Sequence, residues 1–380
     1  MGSKSLKGVL GAVFSLILSV CTLPAWAEEG GGHGGETLDP GKVIIEHVTD
    51  AHDFHFFDLG DKPVSIPLPV ILYSPQKGLS IFSSGKFHHG HEAHEGYMLV
   101  TDHYIHQQQA AGNDVTGLKN QQIIAVDAAG NPDSSVQVYD FSMTKNVVQM
   151  LLATILLVVI LMQVAKKYKT NGPNKAPTGL QNAIEPVITF IRDDVAKPNL
   201  KHKYQKYMPL LLTMFFFILI NNLFGLLPGA ANVTGNLALT AALAIISFIV
   251  ILFSSNKHFW GHVFWYPGVP LGVKFIMLPV ELMGIFTKPF ALMIRLFANM
   301  VAGHVIILSF IILIFIFGAM NKALGYGTSP VFIGLAVFIY VIEVLVAFIQ
   351  AYIFTNLTAV FIGQAFEHGD HHGEDGHGHH

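Results

Sequence analysis

From Tyr207 to Phe366 the chain carries only seven charged side chains: Lys257, Lys274, Glu281, Lys288, Arg295, Lys322 and Glu343. No water-soluble fold can hide so long an apolar stretch, whereas a bilayer requires one. Composition agrees, with 52% hydrophobic and 12% charged residues and a mean hydropathy of +0.50. Soluble proteins carry roughly a quarter charged residues. These values exclude a soluble enzyme, a disordered tail protein and a basic nucleic-acid binder, and the net charge of -3 argues for no particular partner. The reading is an all-α polytopic membrane protein whose few intramembrane charges are where function is to be sought.

The ends differ from this middle. Lys4 and Lys7 precede an apolar run from Val9 to Val20, then Pro24-Ala25-Trp26-Ala27. A basic start, an apolar run too short to span and small residues before the cut read as a signal peptide over 1–27, leaving Glu28 as the mature start. Cys21 could mark a lipoprotein instead, but Val20 is not the small residue wanted before it. Cleavage after Ala27 leaves no cysteine and no disulfide framework. Residues 28–142 are polar and Gly- and His-rich. They are expected outside the membrane as a small irregular or β region, with a hairpin of Ile123–Val126 and Val136–Tyr139 about Asn131-Pro132-Asp133. Ten histidines fall here, His88, His89, His91 and His94 in one group, and six more crowd the tail over 367–380. Such tracts can bind zinc or copper. Without cysteine partners and between flexible flanks, they read as solvated, weakly buffering segments.

Five spans are expected in the membrane domain, 143–366. The first runs from Met143 to Val164, with Ser142 placed to cap it. Lys166, Lys167, Lys169 and Lys175 put its far end in the cytoplasm. Leu180 to Lys197 is amphipathic and reads as a helix lying on the cytoplasmic surface. Spans at Tyr207–Leu227 and Leu237–Phe253 follow. The stretch Phe275–Gly318, about 66 Å as one helix, must tilt or bend, with Pro279 and Pro289 as places to do so. A turn over Ala319–Ser329 leads to a last long helix, Pro330–Phe366. The N-terminus is then external and the C-terminus cytoplasmic.

Lys274, Glu281, Lys288 and Arg295 recur every seven residues. That spacing is two helical turns less about 20°, so all four share one drifting stripe. Snorkelling accounts for Lys274 and serves for Lys288. It fails for Arg295, which is followed by 26 residues without a charged side chain. Arginine at membrane depth costs about 2.5–3.5 kcal/mol, and no anionic partner stands at helical spacing along the same segment, so some other element, such as another chain, should supply one. Arginine keeps its proton; it can hold a passing carboxylate as the anion but cannot relay a proton. His304 and Glu343 are of the other kind, able to take up and release protons. From Arg295 to His304 is about 13.5 Å along a helix, and from Glu343 to Gln350 about 10.5 Å. In antiparallel helices, Gln350 level with Arg295 brings Glu343 near His304.

Thr287-Lys288-Pro289-Phe290-Ala291-Leu292-Met293-Ile294-Arg295-Leu296-Phe297-Ala298-Asn299-Met300-Val301-Ala302-Gly303-His304 resembles subunit a of F-type ATP synthases. So do Asn222-Leu223-Phe224-Gly225-Leu226-Leu227-Pro228-Gly229, Asn232-Val233-Thr234 and Leu345 to Phe354. The resemblance covers about 143–366. It implies a non-catalytic stator subunit of the Fo sector, whose two half-channels carry protons to and from a c-subunit ring and couple their flow to rotation. The implied partners are that ring, the b-subunit peripheral stalk, the other synthase subunits and membrane lipid; no cofactor and no nucleic acid are implied. By the same resemblance Arg295, Gln350 and Asn299 match the family's essential arginine, the glutamine beside it and the asparagine one turn on. Glu281 and Lys288 match residues near the cytoplasmic mouth.

Two positions depart from the pattern. Histidine follows Gly303 where some members have glutamate, and Glu343 stands where those members have histidine, as if the pair were exchanged between helices. Gly225 replaces an aspartate common beside the Leu-Leu-Pro turn. No GxxxxGK[ST] loop occurs, so nucleotide chemistry belongs to other subunits. A solute transporter built on Arg295 would need internal repeats and broken helices, and no duplication is evident; a plain anchor leaves Arg295 and Glu343 unexplained.

Overall fold

The structure is a computed structural model describing residues 49–59, 62–113, 115–127, 129–133, 135–171, 176–227, 230–264 and 271–367. The proposed signal peptide and the C-terminal histidine tract lie outside the described residues.

Strands β1 (Asp53–Leu59) and β2 (Lys62–Pro67) pair with each other. The rest of the N-terminal region is a small α/β assembly. Strand β3 (Pro69–Ser74) is central, flanked by β4 (Gly78–Ser83) and β7 (Tyr139–Asp140). Its register runs from Pro69↔Ser83 to Ser74↔Gly78 on one side and pairs Tyr73 with Tyr139 on the other. Alternation puts Val70 and Leu72 on one face, where both are fully buried with Phe87 and Tyr97. A second pair, β5 (Tyr97–Leu99) and β6 (Ile123–Ala125), completes that core. Helix α1 (Asp102–Ala110) begins at Thr101, whose hydroxyl accepts from Tyr104 N at 3.3 Å.

The expected hairpin does not form. Ile123–Ala125 pairs with β5, and Tyr139–Asp140 with β3. Between them Asp127 folds the chain back on itself, accepting from the backbone N–H of Ala129 and Asn131. The Asp133 carboxylate does the same for Ser135, so the chain closes only a short turn, with Val126 bridged to Pro132 and Asp133 N donating to the Ala125 carbonyl at 2.9 Å, before the following residues leave for β3. Ser142 is no cap either, since its hydroxyl accepts from Ile71 N in the sheet. Helix α2 (Lys145–Asn171) starts later, and Asp50 from a distant segment accepts from Asn146 N in its first turn. A carboxylate there also suits the helix dipole.

Among the described residues five helical stretches are long and apolar enough to cross a membrane: α2, the stretch 180–225 and three later ones over 237–254, 275–320 and 322–365. Within 180–225, α3 (Leu180–Phe190) continues through a π-helical turn (Ile191–Ala196) into α4 (Lys197–Leu200). Lys201, at φ +45°, then breaks the helix before α5 (Tyr204–Gly225). The amphipathic stretch thus remains distinct from the span. Its apolar face, with Ile191, Val195 and Leu200 fully buried, packs on the helical core. Asn199 bonds Asn356 of the last helix at 3.2 Å, and Gly363 there lies against the Asn199 carbonyl so closely that a Cβ would overlap it.

Helix α6 (Leu237–Ser254) is capped by Asn236, and α7 (Lys257–Phe264) is short. Helices α8 (Leu271–Met320) and α9 (Lys322–Glu367) run 50 and 46 residues, about 75 and 69 Å. A single residue outside both, Asn321, turns the chain between them, its side chain accepting from Ala323 N. Next to it a Cβ on Gly325 would come within 2.6 Å of the Gly318 Cα, so two glycines let the backbones meet. The expected turn over 319–329 is helical instead. Pro330 removes one N–H and should free the Tyr326 carbonyl, but the Ser329 hydroxyl donates to that carbonyl at 3.2 Å and the helix passes through.

Candidate functional site

Helices α8 and α9 position the sequence-predicted residues at two levels. At the first, Gln350 is 2% exposed and donates from Nε2 to the Arg295 carbonyl at 2.8 Å. That bond sets the register of the two helices here. The Arg295 side chain points outward with Asn299, one turn on, and both residues are exposed. Around them the surface is apolar, with Phe290, Ile294, Leu345, Phe348 and Ile349 exposed. Among the described residues Arg295 has no carboxylate partner. A fixed positive charge thus stands on a face otherwise suited to lipid or to another apolar protein.

At the second level, Glu343 is 6% exposed and neither carboxyl oxygen has a hydrogen-bond partner among the described residues. Its carboxyl lies directly on Gly303, where any Cβ would overlap it. His304, the next residue, is half-buried. The acid and the imidazole therefore come from facing helices to the same level, two turns beyond Arg295. A buried carboxyl without a hydrogen-bond partner is costly, so stability does not account for it.

Further buried polar groups continue this level across the bundle. Asn222 of α5, fully buried, donates to the Ala347 carbonyl at 3.3 Å, one turn from Glu343, and its Oδ1 has no partner. Asn221 Oδ1 and Thr234 Oγ1 are likewise without one. Asn232 reaches the Met300 carbonyl at 3.5 Å. Gln149 of α2 clamps the same loop, its Oε1 accepting from Ala231 N at 2.6 Å and its Nε2 donating to the Ala231 carbonyl. Sequence reasoning does not single out Gln149 and Asn221. Their signal is a side-chain amide inside an apolar run, which is weaker than a charge.

Glu281 and Lys288 lie elsewhere, toward the start of α8. Both are half-buried. Lys288 donates to Gln364 Oε1 at 3.1 Å and sits 5.0 Å over the Phe361 ring. They share the stripe with Arg295 but not its level. Among the described residues no group of three or more His, Cys, Asp or Glu side chains could hold a metal ion.

Sequence comparison bears on this geometry. Residues 147–363 match the family model for the ATP synthase A chain, and residues 43–141 match that of a domain of unknown function, DUF8433. The chain is 47% identical over 253 residues to ATP synthase subunit a of Chloroherpeton thalassium, covering 65% of this chain and 73% of that one. It is 46% identical over 255 residues to ATP synthase subunit a 2 of Chlorobaculum tepidum, covering 65% and 69%. With ATP synthase subunit a of Chlorobium phaeobacteroides strain BS1 the match is 38% over 319 residues, covering 79% and 92%. A bundle of apolar helices that carries, two turns from a buried acid, an arginine without a carboxylate partner among the described residues, together with these matches, makes the chain a member of the ATP synthase subunit a family.

Proposed function

We propose that this chain is the proton-conducting stator of a rotary ATP synthase. Protons enter from the periplasm through the polar level of Glu343, His304, Asn222 and Thr234. They pass to a carboxylate on a ring of c subunits that moves against the apolar face of α8 and α9. Once neutralised, that carboxylate can face lipid, which an anion cannot do cheaply. After nearly a full turn it releases its proton on the cytoplasmic side, near Glu281 and Lys288. Arg295 holds the arriving carboxylate ionised; because it keeps its own proton, it closes the direct path between the two half-channels. Gln350 fixes the α8–α9 register at that point, and Asn299 shares the ring-facing surface. A membrane potential contributes about 2.3 kcal/mol per charge per 100 mV, so several protons must pass per ATP. The nucleotide chemistry is left to other subunits, and the b-subunit stalk holds this chain still against the turning ring.

The observation that carries this reading is Arg295, a permanent cation on an apolar exposed face with no carboxylate partner in its own chain among the described residues. In vesicles containing the assembled complex, Arg295→Ala should abolish ATP-driven proton pumping while ATPase activity of the assembly stays measurable. Pumping at the wild-type rate would overturn it.

A further inference from the structure

The N-terminal domain holds a cavity of about 520 Å³ that the rotary function does not use. Asp50, His52, Asn120, Gln121, Asp140 and Thr144 line it, with Lys119 exposed at its rim. Volumes of about 300–1,000 Å³ are those of small-ligand sites.

Its polar atoms are unevenly satisfied. His52 is 5% exposed and gives Nε2 to Asp140 Oδ2 at 3.1 Å. If that nitrogen carries the proton, Nδ1 is a bare lone pair, and it has no partner. Asn120 is oriented by its Nδ2, which donates to Asp102 Oδ1 at 3.0 Å, so its Oδ1 is the free atom. Gln121 Oε1 and Thr144 Oγ1 are also buried without partners. Asp50 uses Oδ1 for the backbone N–H of Ala51 and Asn146. Lys145 offsets part of its charge and shares it with Asp53. The unmet groups are thus mainly acceptors, beside two carboxylates.

That pattern asks for a ligand rich in N–H donors and positively charged. A primary ammonium offers three donors on a compact cation. A quaternary ammonium offers none and is recognised by Trp, Tyr and Phe rings, and the cavity is lined by none of these. A bare divalent ion needs oxygens at about 2.3–2.6 Å all round, too tight for a cavity this wide. The site also lies at a definite height. Helix α2 is 27 residues, about 40 Å against a hydrocarbon core of about 30 Å. Its predominantly apolar run, Val147–Val164, spans about 27 Å of that core, so the polar Lys145 and Asn146, next to Thr144, fall among lipid headgroups. The exposed Lys119 is placed to meet an adjoining phosphate.

We infer that this cavity binds a primary ammonium group, of the kind carried by an ethanolamine phospholipid headgroup or by a free small amine. The test is amide hydrogen exchange over residues 117–122 of the full chain in lipid nanodiscs, where Gln121 N is bonded to the Val100 carbonyl and reports local opening. Discs of ethanolamine lipid are compared with discs of choline lipid, the latter with and without free ethanolamine. With the ammonium at ten times its dissociation constant, exchange should slow by about tenfold. Slowing in ethanolamine-lipid discs alone identifies the headgroup as the source. Slowing also on adding ethanolamine to choline discs identifies a soluble amine. Equal exchange under all three conditions overturns the proposal. Thr144→Val and Gln121→Leu should each weaken the protection; the wild-type lipid comparison stands even if either variant folds poorly. Proton pumping enters none of these readouts, so the test is separate from that of the rotary role.

Discussion

Gly303 is a glycine because of a residue 40 positions away. The Glu343 carboxyl occupies the space a Cβ would need, so Gly303→Ala must push that side chain or separate α8 from α9. Such overpacking costs about 1–3 kcal/mol. Gly284, on the same helix, has nothing within 4 Å of the point where a Cβ would stand, and alanine there should instead gain about 0.5–1 kcal/mol through helix propensity. Thermal unfolding of the two purified variants should therefore shift in opposite directions, and only Gly303→Ala should reduce pumping. Shifts of the same sign would remove the steric explanation. The contrast also shows what a sequence can carry at this scale. Arg295 and Glu343 are legible because charge in an apolar run has no bland explanation. Gly303 is not, because its reason lies on another helix.

Among elements, the spans are legible because twenty-odd apolar residues admit one structure in a bilayer. Their connections are not, wherever a side chain repairs what the backbone lacks. Ser329 carries α9 through Pro330, and Asp50, far off in sequence, replaces Ser142 at the start of α2. Gln149 is a third case, joining α2 to the α5–α6 loop through both polar atoms of its amide. Gln149→Leu keeps the volume but leaves a buried N–H and a buried carbonyl on Ala231 unmet, at about 1–3 kcal/mol for each. Amides over residues 231–236 should then exchange faster than in the wild type, while those of α9 should not. Unchanged exchange over 231–236 would mean that the loop is held by Asn232 and its neighbours alone.

On the scale of the whole chain, one polypeptide answers to two solvents, and acid separates them. The N-terminal domain depends on carboxylates with partners. Burial alone would raise the Asp140 carboxyl, but hydrogen bonds from His52 and Ser142 outweigh that and hold it below its ordinary 3.8. Asp127 and Asp133, in water, are lowered by the backbone and side-chain donors of their turns. A carboxyl whose folded value is depressed contributes stability that is fully present above its ordinary value and lost as pH falls through the folded one. The unfolded domain therefore takes up more protons in acid, and the domain should loosen progressively from about pH 5 to about pH 2. The apolar packing of Leu211, Ile218, Leu296 and Ile362 involves no titrating group and should hold in that window. Hydrogen exchange read separately over β3–β7 and over α5 tests this: the strands should lose protection in acid before the helix does. Asp140→Asn should flatten the acid dependence of the strands, since an amide can still accept from Ser142 N but no longer responds to protons. Strands as resistant as α5 down to the same pH would mean that apolar contacts around Tyr97 and Phe87, rather than these carboxylates, hold the domain.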